Sequence, residues 1–231
     1  MKTVLCYGDS LTWGYDSETG LRHAFDDRWP NVLAKALGDD FVVITDALNG
    51  RTTAFDDHTV AVERNGVKTL PTALGAHQPL DLVIVLLGTN DLKRHTGGGR
   101  VFESRQGLER IVEIIQTFSY QRGYEAPKIL LVAPPTFSET MEPDFALLFG
   151  DGVEESQHFR SAITKVGEEY GCAVFDAAEV CETVSLDGVH LDATHTRALG
   201  EALVEPVTAI LRGAADGSPA QSHPSEETKH G

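Results

Sequence analysis

Four places in the sequence carry side chains suited to acyl transfer. Ser10 follows the apolar run Val4-Leu5-Cys6-Tyr7 and the pair Gly8-Asp9. Such a run reads as a short buried strand. A serine just beyond it sits at the carboxyl end of a sheet strand, beside helix N-terminal N–H groups that favour negative charge. That is a place for a nucleophile whose reaction develops an oxyanion. Asp187 and His190 lie three residues apart, so on one local turn the carboxylate can fix the imidazole tautomer while the other ring nitrogen faces Ser10. The order Ser…Asp…His is one of several that build this geometry on unrelated folds. Gly50 offers a backbone N–H with no Cβ in the way, and Asn90 offers a side-chain amide. Together with the Ser10 N–H they make a set of oxyanion donors.

Each of these residues also has a plainer reading. Ser10 alone fits a helix N-cap, and Thr12 stands where the nucleophile elbow GxSxG has its last glycine. Asp187 alone fits a turn. Gly50 in Asn49-Gly50 is a turn glycine, and Asn90 can simply end a strand. Asp187, His190, Asp192 and His195 have spacing that a metal can use. At a helix start, however, such residues are mostly caps, so no metal is expected.

The elements that must position these groups follow from the hydrophobic pattern. Phe41–Ile44 reads as a second strand leading into Asn49-Gly50-Arg51, and Leu80–Leu87 as a central strand apolar on both faces, ending in Gly88-Thr89-Asn90-Asp91. Lys128–Ala133 and Ala173–Phe175 supply two more strands. Between them, helices are expected from Trp29-Pro30 to Gly38, over 71–77, 104–122 and 154–170, and from Thr194 onward with a break at Pro206. Residues 54–70 read as irregular. Residues 136–153 read as a long apolar loop holding Phe137, Met141, Phe145, Leu148 and Phe149. Strands alternating with helices imply one α/β domain over residues 1–212 built on a parallel, doubly wound sheet. Residues 213–231, rich in Gly, Ser, Pro and Glu, read as a disordered tail.

Bulk properties narrow the partners. The 231-residue chain carries a formal charge of −16, which repels nucleic acid and anionic membrane surfaces. Neither is an expected partner, and strongly anionic substrates are disfavoured unless local charge overrides the field. No apolar run approaches the roughly 20 residues of a membrane span, and no secretory leader is visible. Three cysteines without a CxxC motif fit a reduced, cytoplasmic protein.

In combination, GDSLTWG at 8–14, Gly50 with Arg51-Thr52-Thr53, LGTND at 87–91 and DGVHL at 187–191 resemble the SGNH, or GDSL, hydrolase family, and within it the arylesterase/acyltransferase group. The resemblance covers residues 1 to about 212. It implies a flavodoxin-like three-layer α/β/α sandwich with a five-stranded parallel sheet. It makes Ser10 the nucleophile, His190 the base and acid, Asp187 its orienting partner, and Ser10, Gly50 and Asn90 the oxyanion hole. No cofactor is implied. The expected substrate is a small ester with a short acyl group, and Asp9, Leu11, Trp13, Phe137 and Phe145 are candidates to touch it. Acyl transfer to alcohols and a homo-oligomeric state belong to the same expectation. A carbohydrate acetyl esterase is the nearer alternative. A nucleotide- or flavin-binding module on the same sheet is the more distant one, although no phosphate-binding glycine motif follows the first strand.

Overall fold

The structure, a computed structural model, describes residues 1–184 and 186–212, so the expected tail at 213–231 lies outside the described residues. The first half of the chain runs β1 (Lys2–Gly8), α1 (Ser10–Trp13), α2 (Trp29–Leu37), β2 (Phe41–Ala47), α3 (Gly66–His77), β3 (Leu82–Leu86) and α4 (Val101–Thr117). The second half runs β4 (Lys128–Ala133), α5 (Pro143–Phe149), α6 (Gly152–Ser156), α7 (Phe159–Tyr170), β5 (Ala173–Asp176), α8 (Ala193–Ala202) and α9 (Val204–Arg212).

The five strands form one sheet in the order β2-β1-β3-β4-β5, every pair parallel. The chain therefore winds outward from β1 in both directions, and the switch between the two windings falls between β1 and β3. In open α/β sheets, the carboxyl ends of strands at such a point are where ligands collect. Side chains along β1 alternate across the sheet. Leu5 and Tyr7 join Val83, Val85 and Leu131 under α3, α4 and α7, whereas Val4 and Cys6 join Ile84 and Leu130 under α2, α8 and α9. Burial on both faces explains why the central strands read as continuous apolar runs. Cys6, Cys172 and Cys181 are free thiols, and among the described residues no helix is long and apolar enough to cross a membrane.

Two departures from the sequence reading have clear causes. The segment 136–153 is not a loop throughout, because Pro143 starts α5 and Phe145, Leu148 and Phe149 make its stripe at helical spacing. Gly150, at φ 56°, ends that helix after seven residues, which is too short a run for periodicity to stand out. Likewise α3 begins at Gly66 and carries Pro71 inside it rather than at its start. Pro206 lies within the first turn of α9, immediately after α8, so it marks a junction between two helices.

Candidate active site

Ser10 is the first residue of α1, and the cap is Asp9, whose carboxylate accepts from the Leu11 N–H at 3.0 Å. This division of labour frees the Ser10 hydroxyl. A Cβ at Gly8 would overlap Thr12, so only glycine lets β1 turn this tightly into the helix. The hydroxyl lies 2.9 Å from His190 Nε2.

The loop before α8 holds His190 rigidly. Asp187 Oδ1 accepts the N–H groups of Val189 and His190, both at 2.9 Å, and its Oδ2 lies 2.6 Å from His190 Nδ1. Burial raises the Asp187 carboxyl, but its hydrogen bond to His190, the charge of that ring and the two backbone donors outweigh burial and bring it below its ordinary range. Asp187 thus stays ionised, which makes Nδ1 the protonated nitrogen and leaves Nε2 to accept from Ser10. Tyr15 packs on the ring with centroids 4.5 Å apart, and Phe145 meets it edge-on at 6.3 Å.

Buried polar clamps bring the other two strand ends to the same corner. Gly50 adopts φ 81° within a turn closed by the Arg51 N–H donating to the Leu48 carbonyl at 3.0 Å. Arg51 stacks on Tyr7 and donates to the carbonyls of Gly8 and Asp46, while its second arm pairs with the Asp46 carboxylate at 2.8 Å. The ends of β1 and β2 are thereby tied together under Gly50. Asp91 is fully buried and accepts the N–H and the hydroxyl of Thr53, both at 2.8 Å, which ties the Gly50 loop to the end of β3. Burial pushes the Asp91 carboxyl up to about 7. Asn90 Nδ2 donates to Asp9 Oδ2 at 3.2 Å and to the Arg51 carbonyl at 3.1 Å. Burial lifts Asp9 to about 6.

Ser10, Gly50, Asn90 and His190 meet at a cavity of about 140 Å³. Its apolar wall is Phe145, Leu148, Phe149 and Val189. Of the residues expected beside a substrate, Phe145 lines the cavity and four do not. Asp9 faces inward to cap α1 and hold Asn90. Leu11 is buried in the apolar cluster to which α2 and α8 also contribute. Trp13 is covered by the Arg22 guanidinium, 4.8 Å from its ring. Phe137 packs edge-on against the far side of Phe149, with centroids 5.1 Å apart. Tyr15, Arg64 and Lys93 line the cavity without any signal in their own local sequence. Asp192 caps α8 by accepting the His195 N–H at 2.8 Å and lies 3.0 Å from His195 Nδ1. That pair is engaged in a helix start.

A three-layer α/β/α sandwich with serine, histidine and aspartate joined in series at the switch point is the architecture of a hydrolase. The chain belongs to the GDSL-like lipase/acylhydrolase family, whose model matches residues 6–203. Among solved structures, it is similar to a carbohydrate acetylesterase family member from Sinorhizobium meliloti, with 47% identity and a TM-score of 0.90 over 92% of this chain and 100% of that one. It is also similar to the aryl esterase of M. smegmatis, with 39% identity and a TM-score of 0.86 over 91% and 100%. A second S. meliloti carbohydrate acetylesterase matches at 37% identity and a TM-score of 0.86, again over 91% and 100%. A comparison with curated proteins gives no match.

Proposed function

We propose that the protein is a serine esterase for small, short-acyl esters, aryl esters among them, working through an acyl-Ser10 intermediate. The observation that carries this reading is the 2.9 Å approach of His190 Nε2 to the Ser10 hydroxyl, with Asp187 behind the ring. His190 takes the hydroxyl proton as Ser10 attacks the ester carbonyl. The oxyanion is held by the N–H groups of Ser10 and Gly50 and by the Asn90 amide, which turns to it one of the two N–H bonds it otherwise gives to Asp9 and to the Arg51 carbonyl. His190 then gives its proton to the departing alcohol, and water or a second alcohol, deprotonated by the same ring, releases the acyl group.

The cavity limits the acyl group. A space of about 140 Å³ is close to the roughly 150 Å³ that holds one benzene ring in an apolar core. On this reading acetyl and propionyl groups pack against Phe145, Phe149 and Val189, and an octanoyl chain overfills the space. Fatty-acid p-nitrophenyl esters of increasing length test this, with the acetyl and propionyl esters expected to be turned over fastest. Adding a small alcohol is expected to divert part of the acyl group into a new ester, because the apolar wall disfavours water. Faster octanoyl turnover with hydrolysis alone would overturn the narrow pocket. The relatives named for carbohydrate acetyl groups support acetylated sugars as the rival substrate, so a panel should set them against aryl acetates.

Asn90→Ala is expected to cost about 10²–10³ in kcat, the usual effect of removing one oxyanion donor. KM should change little, because the amide acts on charge that develops only in the transition state. A large rise in KM at unchanged kcat would reduce Asn90 to a substrate-binding group. We also read the exposed Met141 and Leu147 of the segment 136–153 as a self-association surface, and the free thiols as fitting a reducing, cytoplasmic setting.

A further inference from the structure

The cavity carries charge that the proposed chemistry does not use. Among the described residues its lining includes two cationic side chains, Arg64 and Lys93, and no carboxylate. Arg64 lies flat against Gly50, where a Cβ would come within 2.5 Å of Cζ and Nε. One arm is held by Asp57, with Nη1 at 2.7 Å from Oδ2. That carboxylate is already shared with Thr59 and with His95 at 3.5 Å. The Arg64 Nε–H is buried and, among the described residues, meets no acceptor.

Lys93 also lines the cavity, its ammonium 5.9 Å from the Phe149 ring centroid. Burial is the main influence pushing the Lys93 ammonium below its ordinary range, and Arg64 adds to it, while Asp57 and Asp9 oppose both only through longer-range charge. The aromatic face is a favourable neighbour for the ammonium and the second cation an unfavourable one, so a negative group arriving between the two cations relieves their repulsion. Depth in the cavity separates its two ends. Phe149 and Val189 are buried, whereas Lys93 and Arg64 are part-exposed. On the short-acyl reading above, in which the acyl group takes the apolar end, the part-exposed cations are left to the alcohol part of the ester.

We propose that Lys93 and Arg64 form an anion-receiving rim, so that the preferred esters carry a carboxylate on their alcohol part. This rests on the Ser10 esterase reading above. The chain's charge of −16 does not exclude it. Surface charges beyond about 8 Å are screened at physiological salt, whereas two cations at the cavity edge act at contact. A charge-assisted hydrogen bond from the ammonium, strengthened by the guanidinium, supplies the discrimination.

The test compares 4-acetoxybenzoate with its neutral analogue 4-acetoxybenzamide, each rate normalised to hydroxide-catalysed hydrolysis of the same ester. In the wild-type protein, kcat/KM is expected to favour the carboxylate by about tenfold or more. Lys93→Gln should bring the ratio near one by raising KM for the carboxylate ester, and Lys93→Arg should keep most of the preference. Benzoate should likewise inhibit phenyl acetate hydrolysis better than benzamide, and lose that advantage in Lys93→Gln. A wild-type ratio near one with both esters cleaved would overturn the anionic rim and leave the esterase reading intact. Equal slowing of both esters in Lys93→Gln would also overturn it, by assigning Lys93 to the reaction itself. Failure of the wild type to cleave either ester would take down both readings.

Discussion

Ser10→Ala is expected to reduce esterase turnover by about 10⁴-fold or more, and to abolish labelling by a fluorophosphonate probe. The size follows from what the other groups can do without the hydroxyl. In serine hydrolases stripped of their nucleophile, the oxyanion donors and binding alone leave a residual 10³–10⁴ over water, out of a far larger total. Here the donors and the cavity would survive, because Asp9, not Ser10, caps α1. The substitution removes one oxygen from a site whose backbone is set by Gly8, Arg51 and Asp91, so the fold should be unaffected. Specific labelling requires a hydroxyl with a base at hydrogen-bond distance and donors for the phosphoryl oxygen, a combination assembled around Ser10. Active-site titration with mass mapping of the label reads this directly. Persistence of label or of turnover in the variant would move the nucleophile elsewhere.

The readable parts of this site share one property, that each is local. Ser10 follows its own strand, Asp187 and His190 lie on one turn, and Asn90 ends the most apolar strand in the chain. Three such local patterns in a fixed order, with Gly50 after the second strand, sufficed to imply the architecture. What was not readable depends on helix phase and on contacts across the chain. Leu11 and Trp13 sit beside Ser10 in sequence, yet α1 turns them toward the core and toward Arg22. Arg64 and Lys93 reach the cavity from two separate loops, and a lone Arg or Lys in a loop is ordinarily a solvated side chain. Phe137 and Phe145 both looked like pocket residues in an apolar stretch. The short helix α5 sends Phe145 to His190, while Phe137 stays behind Phe149. Arg51 and Asp91 were visible within the motifs, but their work as clamps on Gly8 and Thr53 follows only from burial and hydrogen bonding.

Asp187→Asn is expected to lower kcat by about 10⁴, close to the loss expected for Ser10→Ala, although Asp187 does not line the cavity. The reason is the tautomer. Asp187 Oδ1 is committed to two backbone N–H groups, and Oδ2 accepts from His190 Nδ1. In the variant, the carbonyl oxygen keeps the backbone donors and the amide NH₂ faces Nδ1. Nδ1 must then accept, the proton moves to Nε2, and Nε2–H points at a hydroxyl whose proton it was meant to receive. KM should hold, since Asp187 does not line the cavity. Stability gives an independent reading with a definite sign. The Asp187 carboxyl lies below its ordinary value in the folded chain. Its charge therefore stabilises the fold above the unfolded value of about 3.9, and that contribution is lost as pH falls through the lower folded value. Thermal midpoints of wild type and variant should differ by a constant amount at neutral pH and converge in acid. A variant that keeps near-normal kcat, or a gap that does not close below about pH 4, would mean that the carboxylate neither orients His190 nor is held by it.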